Sequence, residues 1–227
     1  MPSEHRLRTF VHLGQHKTGT TSIQMFLKEQ AEPLRARGLY VPLPGQIHAL
    51  LNVYSLARDR MSSVKEDLRQ RKHALFFWSL GWRLRRQIAR HYHRARAQGC
   101  RDVLWSNEGL YLLNSAAEYQ RLVQVFAAHS DETVAVCCFR DRDEYRASYM
   151  SQLEKDQRPF SADRDSYRYV DRDSWLFDFD RKRTLLEQTF DRTLTFDYDS
   201  EDNVRRFFQV LGYPVQDTDG YRHNVTT

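Results

Sequence analysis

Cysteine is scarce: three in 227 residues, Cys100, Cys137 and Cys138. Adjacent Cys137 and Cys138 on a strand would point to opposite faces and read as small buried hydrophobes, which excludes a disulfide framework. No Cys/His cluster has zinc spacing. No run reaches 18 apolar residues, and Met1 to Arg8 holds no apolar signal core. The expectation is a cytoplasmic protein with no membrane partner. Internal repeats, low-complexity tracts and linkers are also lacking. Residues 1–227 therefore read as a single domain, long enough for a full core without metal or disulfide staples. Carboxylates are few in one region. Residues 58–101 hold 13 Lys/Arg against 3 Asp/Glu, a local +10 in a chain of net +5. Such a segment is either a solvated arginine-rich helix face or an attractor of polyanions.

What is there is organised around one stretch, Phe10-Val11-His12-Leu13-Gly14-Gln15-His16-Lys17-Thr18-Gly19-Thr20-Thr21-Ser22. Apolar residues up to Leu13 suit a buried parallel strand, and Ile23, Phe26 and Leu27 begin a helical apolar face. Strand, Gly- and hydroxyl-rich turn, then helix is the architecture of a phosphate cradle. Its backbone N–H groups and the helix dipole point at a bound anion. Gly14 and Gly19 have the spacing of a P-loop, but Thr20 stands where the P-loop lysine belongs. Lys17 lies inside the loop instead. A lysine there can sit beside the group transferred from a donor shorter than a nucleoside triphosphate.

Strands are expected at Thr9 to Leu13, Leu39 to Val41, Asp102 to Ser106, Thr133 to Phe139 and Arg192 to Phe196. Helices are expected at 21–37 (with a kink tolerated at Pro33 and a stop at Gly38), across much of 47–99, at 116–128, after Arg140, at 175–189 and at 202–211. Gly81 is a candidate break. The aromatic cluster Phe76, Phe77, Trp78 and Trp82 reads as core. Alternation of strands and helices predicts a three-layer α/β fold with a mainly parallel central sheet. Segments 42–62 and 155–173 carry no readable code; the second reads as a long loop or lid, or as a poorly ordered surface loop.

In such sheets the chemistry lies beyond the carboxyl ends of the strands. Arg140 closes one strand and Ser148 lies two helical turns on. A guanidinium and a hydroxyl together suit a phosphate monoester. Glu108 follows another strand directly, as a helix cap or as a general base. His48 is the rival base, and as a lone histidine near a helix start it also reads as structural.

His16-Lys17-Thr18-Gly19-Thr20-Thr21 resembles the 5′-phosphosulfate loop of sulfotransferases that use 3′-phosphoadenosine 5′-phosphosulfate (PAPS). Ser22-Ile23-Gln24 is most like the bacterial branch. The Arg140-x7-Ser148 spacing is similar to the 3′-phosphate motif of the same family, in the same strand-end context. The resemblance runs from Phe10 to Pro214 and implies a P-loop NTPase-like sulfotransferase fold. It further implies a cofactor site built by Gln15, His16, Lys17, Thr18, Gly19, Thr20, Thr21, Ser22, Arg140, Ser148 and Tyr198. Tyr198-Asp199 is a loose match to the family's strand-end Tyr-Glu pair. Glu108 would be the base, as in glycan and tyrosine sulfotransferases, and Lys17 would stabilise charge on the oxygen between phosphorus and sulfur.

The implied reaction is metal-independent in-line transfer of a sulfuryl group to a hydroxyl, or secondarily an amine, of a small-molecule or glycan acceptor. It would release 3′,5′-adenosine bisphosphate and involve no nucleic acid. Two features depart from the family. Ser22 replaces the tryptophan that stacks on adenine in cytosolic animal enzymes, and only Arg222-His223-Asn224 could replace their late Arg-Lys-Gly segment. The rival readings are a P-loop kinase and a polyanion-binding module using residues 58–101.

Overall fold

The computed structural model describes residues 7–15, 18–43, 45–72, 74–216 and 218–221. The elements run β1 (Leu7–His12), α1 (Thr20–Glu29), α2 (Ala31–Ala36), β2 (Leu39–Tyr40), α3 (Gln46–Ser55), α4 (Ser63–Arg71), α5 (Ala74–Trp78) and α6 (Leu80–Ala97). Then come β3 (Asp102–Ser106), α7 (Ala116–Phe126), β4 (Ser130–Phe139), α8 (Arg142–Lys155), α9 (Phe179–Thr189), β5 (Arg192–Asp197) and α10 (Asn203–Val210). Short 3-10 turns lie at Glu108–Leu112, Trp175–Phe177 and Asp219–Tyr221.

Every strand pair is parallel, in the order β2-β3-β1-β4-β5. Successive residues of β1 serve opposite faces, as the pleat requires. Phe10 packs into a cluster with Ile23, Phe26 and Leu27 of α1 and Phe207 and Phe208 of α10. Val11 packs into the larger cluster with residues of α3, α6, α7, α8 and α9. Burying each large apolar side chain of α1 stabilises the fold by about 1.5–3 kcal/mol. Thus α1 follows β1 onto one face, while α8 follows the neighbouring β4 onto the other. A crevice opens between two adjacent parallel strands whose helices part in this way, at their carboxyl ends.

Four local expectations change. The helix expected over 21–37 is two, broken at Gln30. Pro33 has no N–H to give to the carbonyl of Glu29, so the ladder is interrupted one turn before it. The expected helix at 175–189 divides because Ser174 caps the 3-10 turn and Asp178 caps α9 separately. The break near Gly81 falls at Ser79 instead. Trp78 and Trp82 are exposed rather than core. Leu80, Leu84, Ile88, Tyr92 and Ala95 form the buried stripe of α6, and Trp82 falls between two of its members, on another side of the helix.

Candidate active site

Residues that follow β1, β3, β4 and β5 meet at the carboxyl edge. Beyond β1 the turn closes on Gln15, whose backbone carbonyl accepts the hydroxyls of Thr18 at 2.7 Å and Thr20 at 3.3 Å. The Gln15 side chain is fully buried. Its Nε2 donates to Tyr111 Oη at 3.2 Å, and its Oε1 accepts the backbone N–H of Arg140 at 2.9 Å. One glutamine therefore ties the loop to the end of β4 and to the turn beyond β3. Thr20, at the position of a P-loop lysine, is spent on the loop itself.

Gly19 caps α1 at φ 69°, a left-handed conformation that L side chains rarely adopt. A Cβ there would lie 2.9 Å from Asn203 Nδ2, the atom that donates to Thr18 O at 2.7 Å. Gly19 supplies no capping side chain, and the first turn of α1 carries no acidic residue. No acidic side chain of that turn competes for its amides and dipole, which suits an anion, although Glu201 lines the neighbouring cleft. Thr21 is exposed. Ser22 is buried and lines a cleft with Gly19, Tyr198, Ser200, Glu201, Asn203 and Val204 among others. His16 and Lys17 lie outside the described residues, as do Arg222, His223 and Asn224.

Arg140 stands at the end of β4 with its guanidinium 5.1 Å from the centre of the Tyr198 ring and its Nε 2.9 Å from Glu144 Oε2. The Tyr198 N–H donates to Phe139 O at 2.7 Å, which sets that ring beside both Arg140 and Gly19. Burial pushes the Tyr198 phenol up, and Arg140 partly offsets it. Ser148 is half-buried on α8, near the buried Tyr145 and Tyr149.

Beyond β3, Asn107 rather than Glu108 caps the 3-10 turn, accepting the Gly109 N–H at 3.0 Å. Asn107 Nδ2 donates to the His48 carbonyl at 2.7 Å, and Asn52 Nδ2 donates to the Gly109 carbonyl at 2.6 Å. Asn52 in turn accepts the Ser62 hydroxyl at 2.9 Å. Both neighbours of Glu108 are thereby fastened to α3, and the half-buried carboxylate is carried on a fixed backbone. Its charge reaches buried His12, which desolvation holds down to about 4 and Glu108 partly restores. Burial raises Tyr145 well above the ordinary phenol value, and Glu108 adds to the shift. His12 Nε2 and Tyr145 Oη are buried with no hydrogen-bond partner among the described residues. Polar atoms in that condition call for a ligand or solvent partner.

The His48 ring is buried against Trp105 at 5.6 Å, and neither ring nitrogen has a partner among the described residues. Burial, helped by His91, pushes it down to about 4, so it is neutral at pH 7. What His48 offers the site is its backbone carbonyl.

Several supporting residues carry no motif. Asn203 could have been found as a polar residue opening a helix beyond a strand end, the same rule that picks out Gly19. Tyr111 and Lys182 carried no such signal. Lys182 lies in the charged run Asp180-Arg181-Lys182-Arg183, yet it is buried and donates to Tyr111 O at 3.0 Å and Leu113 O at 2.5 Å. It underpins the turn that bears Glu108, and burial lowers it to about 7. Of the segments 42–62 and 155–173, the second reaches the helix that follows the first. Arg158 pairs with Glu66 at 2.7 Å and Asp67 at 3.1 Å, which docks the loop after α8 onto α4, just beyond 42–62.

No helix among the described residues is long and apolar enough to cross a membrane. Neither family models nor curated protein sequences match the chain. Among solved structures it is similar to a sulfotransferase from Alicyclobacillus acidocaldarius, with 16% identity, a TM-score of 0.56, and 92% of this chain and 83% of that one covered. A tunicamycin resistance protein from Deinococcus radiodurans aligns at 11% identity and a TM-score of 0.46, over 91% of this chain and 95% of that one. What this chain shares with the Alicyclobacillus protein is its fold, a five-stranded parallel sheet flanked by helices.

Proposed function

We propose that the protein is a PAPS-dependent sulfotransferase that moves a sulfuryl group onto an acceptor hydroxyl. The observation that carries this reading is the junction at Gln15. It holds an anion-cradling turn, an arginine at the end of β4 and the Glu108-bearing turn against one another. The residues fit a nucleotide with anionic groups at two positions. The α1 terminus and the turn amides would hold the 5′-phosphosulfate, and Arg140 with Ser148 the 3′-phosphate. Tyr198 and Ser22 would border the nucleoside.

Bound there, PAPS would supply the sulfuryl group. Glu108 takes the acceptor's proton as the new sulfur–oxygen bond forms. Transfer would give a sulfate ester, with 3′,5′-adenosine bisphosphate as the leaving group. Lys17 and the turn amides offset the charge that develops on the phosphate. Rate acceleration comes mainly from positioning, which the clamps on Asn107 and Gly109 favour. A mobile carboxylate would lose that advantage.

The test is Glu108→Gln. Turnover is expected to fall by roughly a hundredfold or more while bisphosphate affinity stays at the wild-type value. Undiminished turnover in this variant would remove Glu108 as the base.

A further inference from the structure

The large apolar side chains most exposed among the described residues lie together in sequence at 75–82, with Leu43 and Phe160 exposed elsewhere. Leu75 is 79% exposed, Trp78 88% and Trp82 64%. Although α5 and α6 are separate elements, Ser79 keeps the right-handed helical conformation. Its N–H donates to Leu75 O at 3.2 Å and its carbonyl accepts the Arg83 N–H at 3.1 Å. Both bonds end at Ser79 and none joins residues 80–82 back to 76–78, so the chain turns between α5 and α6. Leu75 and Trp78 share one face of α5 at i and i+3, and Trp82 opens α6 on the side turned away from Leu80, Leu84 and Ile88, which face the core. The three exposed apolar side chains thus fall within eight residues around one turn.

Cations bracket that turn. Arg71, Lys72, Arg83, Arg85 and Arg86 are exposed. Lys72 and Arg83 flank the Phe76 ring at 5.7 and 5.8 Å, and Arg86 lies 5.3 Å from the Trp82 ring. Residues 68–101 hold 10 Lys/Arg and no Asp or Glu.

We propose that this turn docks the protein onto an anionic lipid surface, with Leu75, Trp78 and Trp82 entering the headgroup–acyl boundary and the flanking arginines and Lys72 pairing with acidic headgroups. Charge complementarity selects the partner. A sugar or phosphate polymer would satisfy the cations and could stack on indoles, but it offers no apolar medium for Leu75. A second copy of this chain would bring the same positive field against itself. A bilayer interface with acidic headgroups satisfies both the apolar and the cationic parts.

Fluorescence reads this directly, because the chain has four tryptophans and the other two, Trp105 and Trp175, are buried. The whole protein is titrated with phosphatidylcholine vesicles, with and without about 30% phosphatidylserine, at low and high salt. The expected result is a blue shift and co-sedimentation with the anionic vesicles, at least about tenfold stronger than with neutral ones and weakened by salt. Trp78→Ser with Trp82→Ser should abolish the shift and the binding while leaving the melting temperature unchanged, since both side chains are exposed. Arg83→Glu with Arg86→Glu should weaken binding by about tenfold or more. Absence of binding to anionic vesicles would overturn the proposal. So would heparin or oligonucleotide binding that persists in the double tryptophan variant without vesicle binding, or concentration-dependent dimerisation that buries the same indoles.

Discussion

The side-chain carbonyl of Gln15 accepts the backbone N–H of Arg140 at 2.9 Å, across a sequence separation of 125 residues. Those residues end adjacent parallel strands, so the bond spans the crevice where the fold offers a ligand site. The same side chain donates to Tyr111. Gln15→Leu should leave the Arg140 N–H buried without an acceptor, at a cost of about 1–3 kcal/mol. Thermal unfolding should fall by several degrees, roughly 2–4 °C for each kcal/mol in a chain of this size. Bisphosphate affinity should drop with it. A variant as stable as the wild type, binding nucleotide equally well, would show that the junction organises nothing.

Arg140 should discriminate nucleotides by their 3′-phosphate. Removing one side of a charge-assisted contact costs about 1.5–3 kcal/mol, roughly ten- to a hundredfold in affinity. Arg140→Ala should therefore weaken 3′,5′-adenosine bisphosphate by that factor and leave 5′-AMP nearly unchanged in calorimetric titrations. Equal losses for both ligands would place the guanidinium elsewhere.

Asn52 separates positioning from binding. It holds the Gly109 carbonyl and touches none of the groups assigned to the nucleotide. Asn52→Leu should lower turnover by about tenfold or more through a displaced Glu108, with bisphosphate affinity unchanged and stability reduced by about 1–3 kcal/mol. Loss of nucleotide affinity in proportion to turnover would point to general unfolding instead.

Acid should destabilise the fold through two buried histidines. His12 and His48 are both held down to about 4 against an ordinary value of 6.5. Between those values the unfolded chain binds more protons than the folded one. Their contribution is therefore flat above about pH 6.5 and is lost as the pH falls toward 4, on the order of 1.4 kcal/mol per pH unit for each group. Urea unfolding at pH 7 and pH 5 measures it. His48→Leu should lose on the order of 2 kcal/mol less than the wild type over that interval. Parallel losses in the two proteins would show that His48 titrates normally.

Much of the architecture was legible in the sequence for local reasons. Apolar runs ending in a glycine turn, a strand-final arginine and glycine stops at Gly38 and Gly212 report backbone conformation directly, and both of those glycines have positive φ. The strand-end position of Glu108 and Arg140 followed from parallel topology alone. The cross-strand wiring was not legible. A glutamine that binds residue 140, an asparagine on α10 that holds Thr18 and a lysine sealed beneath the Glu108 turn gain their partners only when distant segments pack. Trp78 and Trp82 were misjudged because apolar content was counted without fixing the phase of the helix. The buried stripe of α6 was already set by Leu80, Leu84 and Ile88.

Ligand selectivity of the intact protein tests the proposed function most directly, because it requires neither the acceptor nor a variant. Calorimetric titration with 3′,5′-adenosine bisphosphate, 5′-AMP and magnesium ATP compares the three under one condition. If Arg140 and the α1 terminus read two separate anionic groups, the bisphosphate should bind at least about tenfold more tightly than either of the others. Equal affinity for the bisphosphate and AMP, or a preference for magnesium ATP, would contradict a PAPS site and favour a phosphotransferase.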